Sequence, residues 1–138
     1  MIWHYRLCFV ISMNKAEKKQ CVLVVDDHPK VLRFIEIDLK LRGFEVITTT
    51  SGREAVELVE SKKPDIMLLD IVMPVMDGFE VLRRLRAVSE LPVIAFSAHT
   101  SAAEEALRLG ANDFLVKPFR PDDLVKRIKT LLSQRDKH

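Results

Sequence analysis

Cysteine is nearly absent: the chain of 138 residues holds two, Cys8 and Cys21. Two thiols cannot form the framework of a disulfide-stapled scaffold, and Cys21 opens an apolar run where a small buried thiol fits, so a reducing cytoplasmic setting is expected. Glycine is scarce, with four residues. No G-x-G-x-x-G or P-loop pattern follows any apolar run, which argues against a nucleotide-binding module. No stretch reaches the roughly eighteen apolar residues of a membrane span, so no membrane association is expected. Charge of one sign is also lacking. The formal net charge of +2 is set by Arg6, Lys15, Lys18 and Lys19 against Glu17, and the nearly neutral remainder offers no electrostatic footprint for direct nucleic-acid binding.

The segment "LCFVISM" (7–13) after Arg6 is too short for a signal-peptide core and has no A-x-A site behind it. Residues 1–18 are therefore expected to be a flexible N-terminal extension, 19–134 one folded domain and 135–138 a short tail. With 48% hydrophobic and 30% charged residues, the composition is that of a soluble globular domain with a sizeable core.

Five strand-length apolar runs recur: "CVLVV" (21–25), "FEVITT" (44–49), "IMLL" (66–69), "VIAF" (93–96) and "DFLV" (113–116). Helical spacing lies between them, in Val31, Phe34, Ile35, Ile37 and Leu41, then Ala55, Leu58 and Val59, then Phe79, Leu82 and Leu85. Capping boxes are expected at Ser51 with Glu54 and at Ser101 with Glu104, and Gly43 and Gly110 sit where helices should stop. Repeated βα alternation implies right-handed crossovers and a doubly wound parallel sheet covered on both faces. Continuous apolar strands agree with burial on both sides.

Ligands of such sheets bind outside the carboxyl ends of the strands. Those ends carry Asp26 and Asp27, Asp70, Ser97 and Lys117. Singly, each has a bland explanation as a helix cap, a turn residue or a surface residue. Jointly they do not, because independent surface residues have no reason to gather at one end of alternating strands. Three carboxylates within about 5 Å repel by roughly 3 kcal/mol per pair at an effective dielectric of 20, so the group calls for a cation. Hard oxygen donors with room for water suit Mg²⁺, and the shortage of Cys and His argues against zinc. A carboxylate beside Mg²⁺ can attack phosphorus, with an ammonium and a hydroxyl holding the phosphoryl oxygens. In "IMLLDIVMPVMDG" (66–78), Asp70 stands in the place of such a nucleophile.

With "VLVVDDHP" (22–29), "LLDIVMPVMDGFEVLRRLR" (68–86), "PVIAFSA" (92–98) and "GANDFLVKPF" (110–119), the chain resembles the receiver domain of bacterial two-component response regulators, over about residues 20–133. The resemblance implies a flavodoxin-like α/β fold, five parallel strands in the order 2-1-3-4-5 with five helices. It implies that Asp70 takes a phosphoryl group from a sensor histidine kinase or phosphotransfer protein. Asp27 and Asp70 would bind Mg²⁺ directly, Asp26 through water, and the backbone carbonyl of Val72 would be a further ligand. Lys117 would pair with a phosphoryl oxygen and precede a cis Pro118, and Ser97 would swing toward the phosphoryl group. Phe114 stands at the family's switch aromatic, or is a plain core residue of the fifth strand. The output would be protein–protein contacts on the face of the fourth helix, fifth strand and fifth helix, from a monomer or a phosphorylation-dependent dimer. The downstream protein target is not specified by the sequence.

Lys126, Arg127 and Lys129 on the fifth helix suit either an acidic partner or solvent. Val72 and His99, two residues after Asp70 and Ser97, flank the path of the hydrolytic water in the family. An apolar Val72 cannot orient that water, so slow self-dephosphorylation is expected. Val72 also stands where a haloacid-dehalogenase-type phosphatase needs its second acid, which disfavours that enzyme class, so no separate substrate turnover is expected. His28 and His138 read as surface residues. A stand-alone receiver and a piece of a longer regulator both fit the sequence.

Overall fold

The computed structural model describes residues 18–136. The expected extension falls almost wholly outside the described residues, as do residues 137–138 of the expected tail, His138 included. Five strands and five helices alternate: β1 (Cys21–Val25), α1 (Pro29–Leu41), β2 (Glu45–Thr49), α2 (Gly52–Lys62), β3 (Ile66–Asp70), α3 (Gly78–Arg86), β4 (Val93–Ser97), α4 (Ala102–Arg108), β5 (Asp113–Val116) and α5 (Pro121–Asp136). All strand pairs are parallel, in the order β2-β1-β3-β4-β5. This is the doubly wound order expected from the sequence, with its switch point between β1 and β3.

Alternation of side chains along each strand builds two cores. Leu23, Val25, Met67, Leu69, Val93 and Ala95 face α2, α3 and α4. Val22, Val24, Ile66, Leu68, Ile94 and Phe96 face α1 and α5, where Leu39, Ile128 and Leu132 close the layer. The central strands are buried along their whole length, because helices cover both faces.

The face of α1 differs from the expected one. Leu32, Ile35 and Leu39 are buried, at i, i+3 and i+7, whereas Phe34, Ile37 and Leu41 are 63%, 47% and 83% exposed. The run holds more apolar residues than one stripe can accommodate, and the stripe that meets the sheet continues into Leu124 and Val125 of α5. Helix starts also divide. Ser51 caps α2 by accepting from the Glu54 amide at 3.2 Å. Ser101 does not cap α4: its backbone is already helical and its side chain makes no cap bond. The turn there begins earlier, where the Ala102 and Ala103 amides bond the carbonyls of His99 and Thr100. Gly43 and Gly110, at φ +96° and +110°, end α1 and α4 as expected.

The loop from Asp70 to α3 is tied down at its far end. Asp77 caps α3 by accepting from the Glu80 amide at 3.0 Å, and the Gly78 amide bonds the Ile71 carbonyl at 2.8 Å. A Cβ at Gly78 would stand 2.6 Å from the Asp70 carbonyl oxygen and from Ile71 Cα, so only glycine permits that approach. Between these anchors Val75 is fully exposed with φ +68°. A β-branched residue there is strained by about 1–3 kcal/mol. Val75→Asn, a residue that tolerates this region, is expected to raise unfolding free energy by about 1 kcal/mol in urea titration. An unchanged midpoint would show that no strain is held there.

Candidate functional site

Register alone brings the polar residues together. Val25 pairs with Leu69, Asp70 with Phe96, and Ser97 with Val116, so β1, β3, β4 and β5 end within one residue of each other. Asp26, Asp70, Ser97 and Lys117 thus emerge at one rim, the first three at 0%, 2% and 1% exposure. Asp26 Oδ1 accepts from the His28 amide at 2.9 Å, and Asp70 Oδ1 from the Val72 amide at 3.2 Å. The second oxygen of each faces Lys117 Nζ, at 3.2 Å from Asp26 and 3.4 Å from Asp70. That ammonium also lies 4.9 Å from the Phe96 ring centroid, a cation–π contact. The Lys117–Pro118 peptide is cis, as expected.

The remaining expected residues are distributed unevenly. Asp27 lies beside Asp26, and its Oδ1 is closed to solvent without a hydrogen-bond donor. Ser97 Oγ accepts from the His99 amide at 3.0 Å, and the Ser97 carbonyl accepts from the Lys117 amide at 2.9 Å. Phe114 is half-buried at the edge of one core, with its carbonyl accepting from Arg127 Nη1 at 3.3 Å. Arg127 also pairs with Asp113 at 2.6 Å, so of the three expected surface cations on α5 this one is engaged. Val72 is 55% exposed beside the acids. His28 is exposed as expected, but not idle. Its Nδ1 lies 3.0 Å from Asp26 Oδ1 and 3.1 Å from Asp27 Oδ1. These carboxylates raise its pKa, chiefly through the hydrogen bond to Asp26. The signal available in the sequence was its position directly after the acid pair.

One cation cannot balance this rim. Burial, and then the charge of Asp26, push the Asp70 carboxyl up to about 6, with Lys117 and the Val72 amide pulling the other way. A divalent ion suits the deficit. One ligand atom each from Asp26, Asp27, His28 and Asp70 lie within 4.8 Å of one another. The orphaned Asp27 oxygen is what a cation would complete. Hard carboxylate donors open to water fit Mg²⁺.

The family of response regulator receiver domains matches residues 22–129. The chain belongs to this family. Receiver domains generally serve as signalling phosphoacceptors, and partners of the histidine kinase and phosphotransfer classes go with the family. The chain is 38% identical to the probable transcriptional regulator ycf27 of Guillardia theta, over 94% of this chain and 51% of that protein. To the transcriptional regulatory protein PrrA of Mycobacterium tuberculosis it is 46% identical, over 83% of this chain and 50% of that protein. It thus spans about half the length of the curated relatives it matches. Among solved structures, a Francisella response regulator receiver domain aligns at TM-score 0.80 with 33% identity, covering 85% of this receiver and 99% of that chain. Vibrio cholerae chemotaxis protein CheY4 aligns at TM-score 0.76 with 32% identity, covering 81% and 98%. Among the described residues of the receiver, no helix is long and apolar enough to cross a membrane.

The raised pKa of Asp70 has a stability consequence. A carboxyl whose pKa is higher folded than unfolded contributes stability at low pH that is lost as pH rises through its folded value. In chelator, Asp70→Asn is therefore expected to be more stable than wild type by about 1–3 kcal/mol at pH 8. That gain should shrink toward zero as pH falls from 7 to 4, in urea titrations at each pH. A gain independent of pH would assign it to something other than the carboxylate.

Proposed function

We propose that the receiver is a phospho-accepting switch spanning residues 19–134. Asp70 attacks the phosphorus of a phosphohistidine on a sensor kinase or phosphotransfer protein. An O–P bond forms, the P–N bond breaks, and the imidazole of the donor leaves with the bonding pair. One arrangement carries this reading: a buried carboxylate at the end of β3, 3.4 Å from the Lys117 ammonium, beside two further acids. Lys117 then exchanges a carboxylate partner for a phosphoryl oxygen. Ser97, one residue beyond the pairing partner of Asp70, supplies a hydroxyl to the same group. Mg²⁺ on Asp27 and Asp70, with Asp26 through water and the Val72 carbonyl as a further ligand, would neutralise the oxygens that accumulate charge.

The readout in this proposal is the face of α4, β5 and α5. Leu107 and Val116 are 47% and 41% exposed there, which is apolar area a protein partner can use. Ser97 and Phe114 are the switch pair, and moving the population from 1:99 to 99:1 takes about 5.5 kcal/mol of differential stabilisation. Signalling by this segment is through protein contacts in the cytoplasm, as a monomer or a phosphorylation-dependent dimer. The relatives named as transcriptional regulators are about twice as long as the segment they share with this chain, and no direct nucleic-acid contact is proposed for the receiver itself.

Incubation with acetyl phosphate and Mg²⁺ followed by intact-mass measurement is expected to show one added phosphate, absent in Asp70→Asn and without Mg²⁺. A wild-type mass that does not change would reject the proposal in favour of a pure interaction domain.

Val72 bears on the lifetime of the product. Its apolar, half-exposed side chain cannot hold a water in line with the acyl phosphate. Val72→Asn is expected to shorten the acyl-phosphate half-life several-fold, read by the decay of the phosphorylated mass. A half-life unchanged or longer would remove Val72 from that role.

A further inference from the structure

His28 occupies the position that caps α1, yet it does none of the work of a cap. Its side chain makes no bond to the first-turn amides, a task for which Ser, Thr, Asp or Asn is preferred. The backbone directs the ring elsewhere. An extended residue (φ −96°, ψ 106°) between Asp27 and Pro29, its amide fixed on Asp26 Oδ1, turns Nδ1 onto the acid pair. That nitrogen meets two carboxylate oxygens of different residues, at 3.0 and 3.1 Å. It can carry one proton, and one N–H cannot point at both. Asp27 Oδ1 is accordingly left without a donor although it is closed to solvent.

Three converging atoms with one proton between them suit a cation better than a hydrogen bond. In an octahedral shell with bonds of ~2.1 Å, adjacent ligands are ~3.0 Å apart, close to both separations seen here. Including Asp70, the widest separation in the cluster is 4.8 Å, so a small contraction closes the set. The direct side-chain donors would be the oxygens of Asp27 and Asp70 and one imidazole nitrogen, with Asp26 joining through water. Imidazole discriminates among metals: Mg²⁺ gains little from it, whereas ions later in the first transition row gain steeply.

We propose that His28 is a metal ligand and converts this acidic site into a mixed nitrogen–oxygen site that favours divalent transition ions over Mg²⁺. The proposal rests on the reading that the acid cluster holds a divalent cation. His28 then sets which ion the site takes. Its 62% side-chain exposure leaves the ring free to follow the ion without disturbing the core.

The test is calorimetric titration of the full chain with Ni²⁺ and, separately, Mg²⁺, for wild type, His28→Gln and Asp27→Asn. Wild type is expected to bind Ni²⁺ at least a hundredfold more tightly than Mg²⁺. His28→Gln should weaken Ni²⁺ at least tenfold and leave Mg²⁺ within about twofold, and Asp27→Asn should weaken both. Bound Mn²⁺ should show nitrogen modulation in pulsed electron paramagnetic resonance that disappears in His28→Gln. Equal affinities of wild type and His28→Gln for Ni²⁺, or Ni²⁺ binding that persists in Asp27→Asn on another histidine, would overturn the inference while leaving the Mg²⁺ reading intact. If wild type binds neither ion, both readings fall.

Discussion

The structure turns on keeping carboxylates at the edge of a low-dielectric sheet. Asp26 and Asp70 are as inaccessible as the core leucines next to them, yet both belong to the ends of strands whose other residues are wholly apolar. A buried charge is tolerated only when paired and hydrogen-bonded. Each acid accordingly receives one backbone amide and shares a single ammonium, that of Lys117. The arrangement is deliberately under-neutralised. One positive charge facing two buried carboxylates, with a third beside them, leaves a standing demand for cation, and the elevated pKa of Asp70 expresses that demand.

Much of the fold exists to hold this demand in place. Lys117 reaches the acids because its amide bonds the Ser97 carbonyl, which extends the β4–β5 ladder by one residue past the strand. The loop after Asp70 is fixed by the Asp77 cap and by the approach of Gly78 to the strand end. Removing the acids would leave these anchors with little purpose. Their cost is visible in Val75, a β-branched residue at positive φ between two fixed points.

The alternation of strands and helices was legible in the sequence because both periods are strong there, and the rim residues followed from the rule that sites lie at strand ends. Asp26, Asp27, Asp70, Ser97 and Lys117 do meet at one edge. What escaped the sequence shares one cause: local pattern does not say which neighbour a side chain meets. Apolar residues surround α1, so periodicity could not choose between the stripe of Phe34 and Ile37 and the buried stripe of Leu32 and Leu39. The choice is made by α5, distant in sequence. The S-x-x-E pattern at Ser101 matches a capping box, yet the preceding turn had already begun at His99 and Thr100. His28 read as an ordinary surface histidine because exposure and engagement are different properties, and it is the folded backbone that brings its ring back over the acids.

The same geometry bears on how a charge at Asp70 would travel. Lys117 is bonded through its side chain to Asp70 and through its backbone to Ser97, so one residue links the ends of β3, β4 and β5. A phosphoryl group at Asp70 would draw the ammonium and the Ser97 hydroxyl toward the same oxygens. Ser97 Oγ, however, accepts from the His99 amide at the start of the turn into α4. If the hydroxyl leaves that amide, the turn loses one of its bonds, and α4 is short, at seven residues, with no side-chain cap at its start. Short helices depend on tertiary contacts and caps more than on their own propensity. A lost bond at this turn therefore falls on a short, uncapped helix that adjoins the exposed apolar residues of the proposed output face.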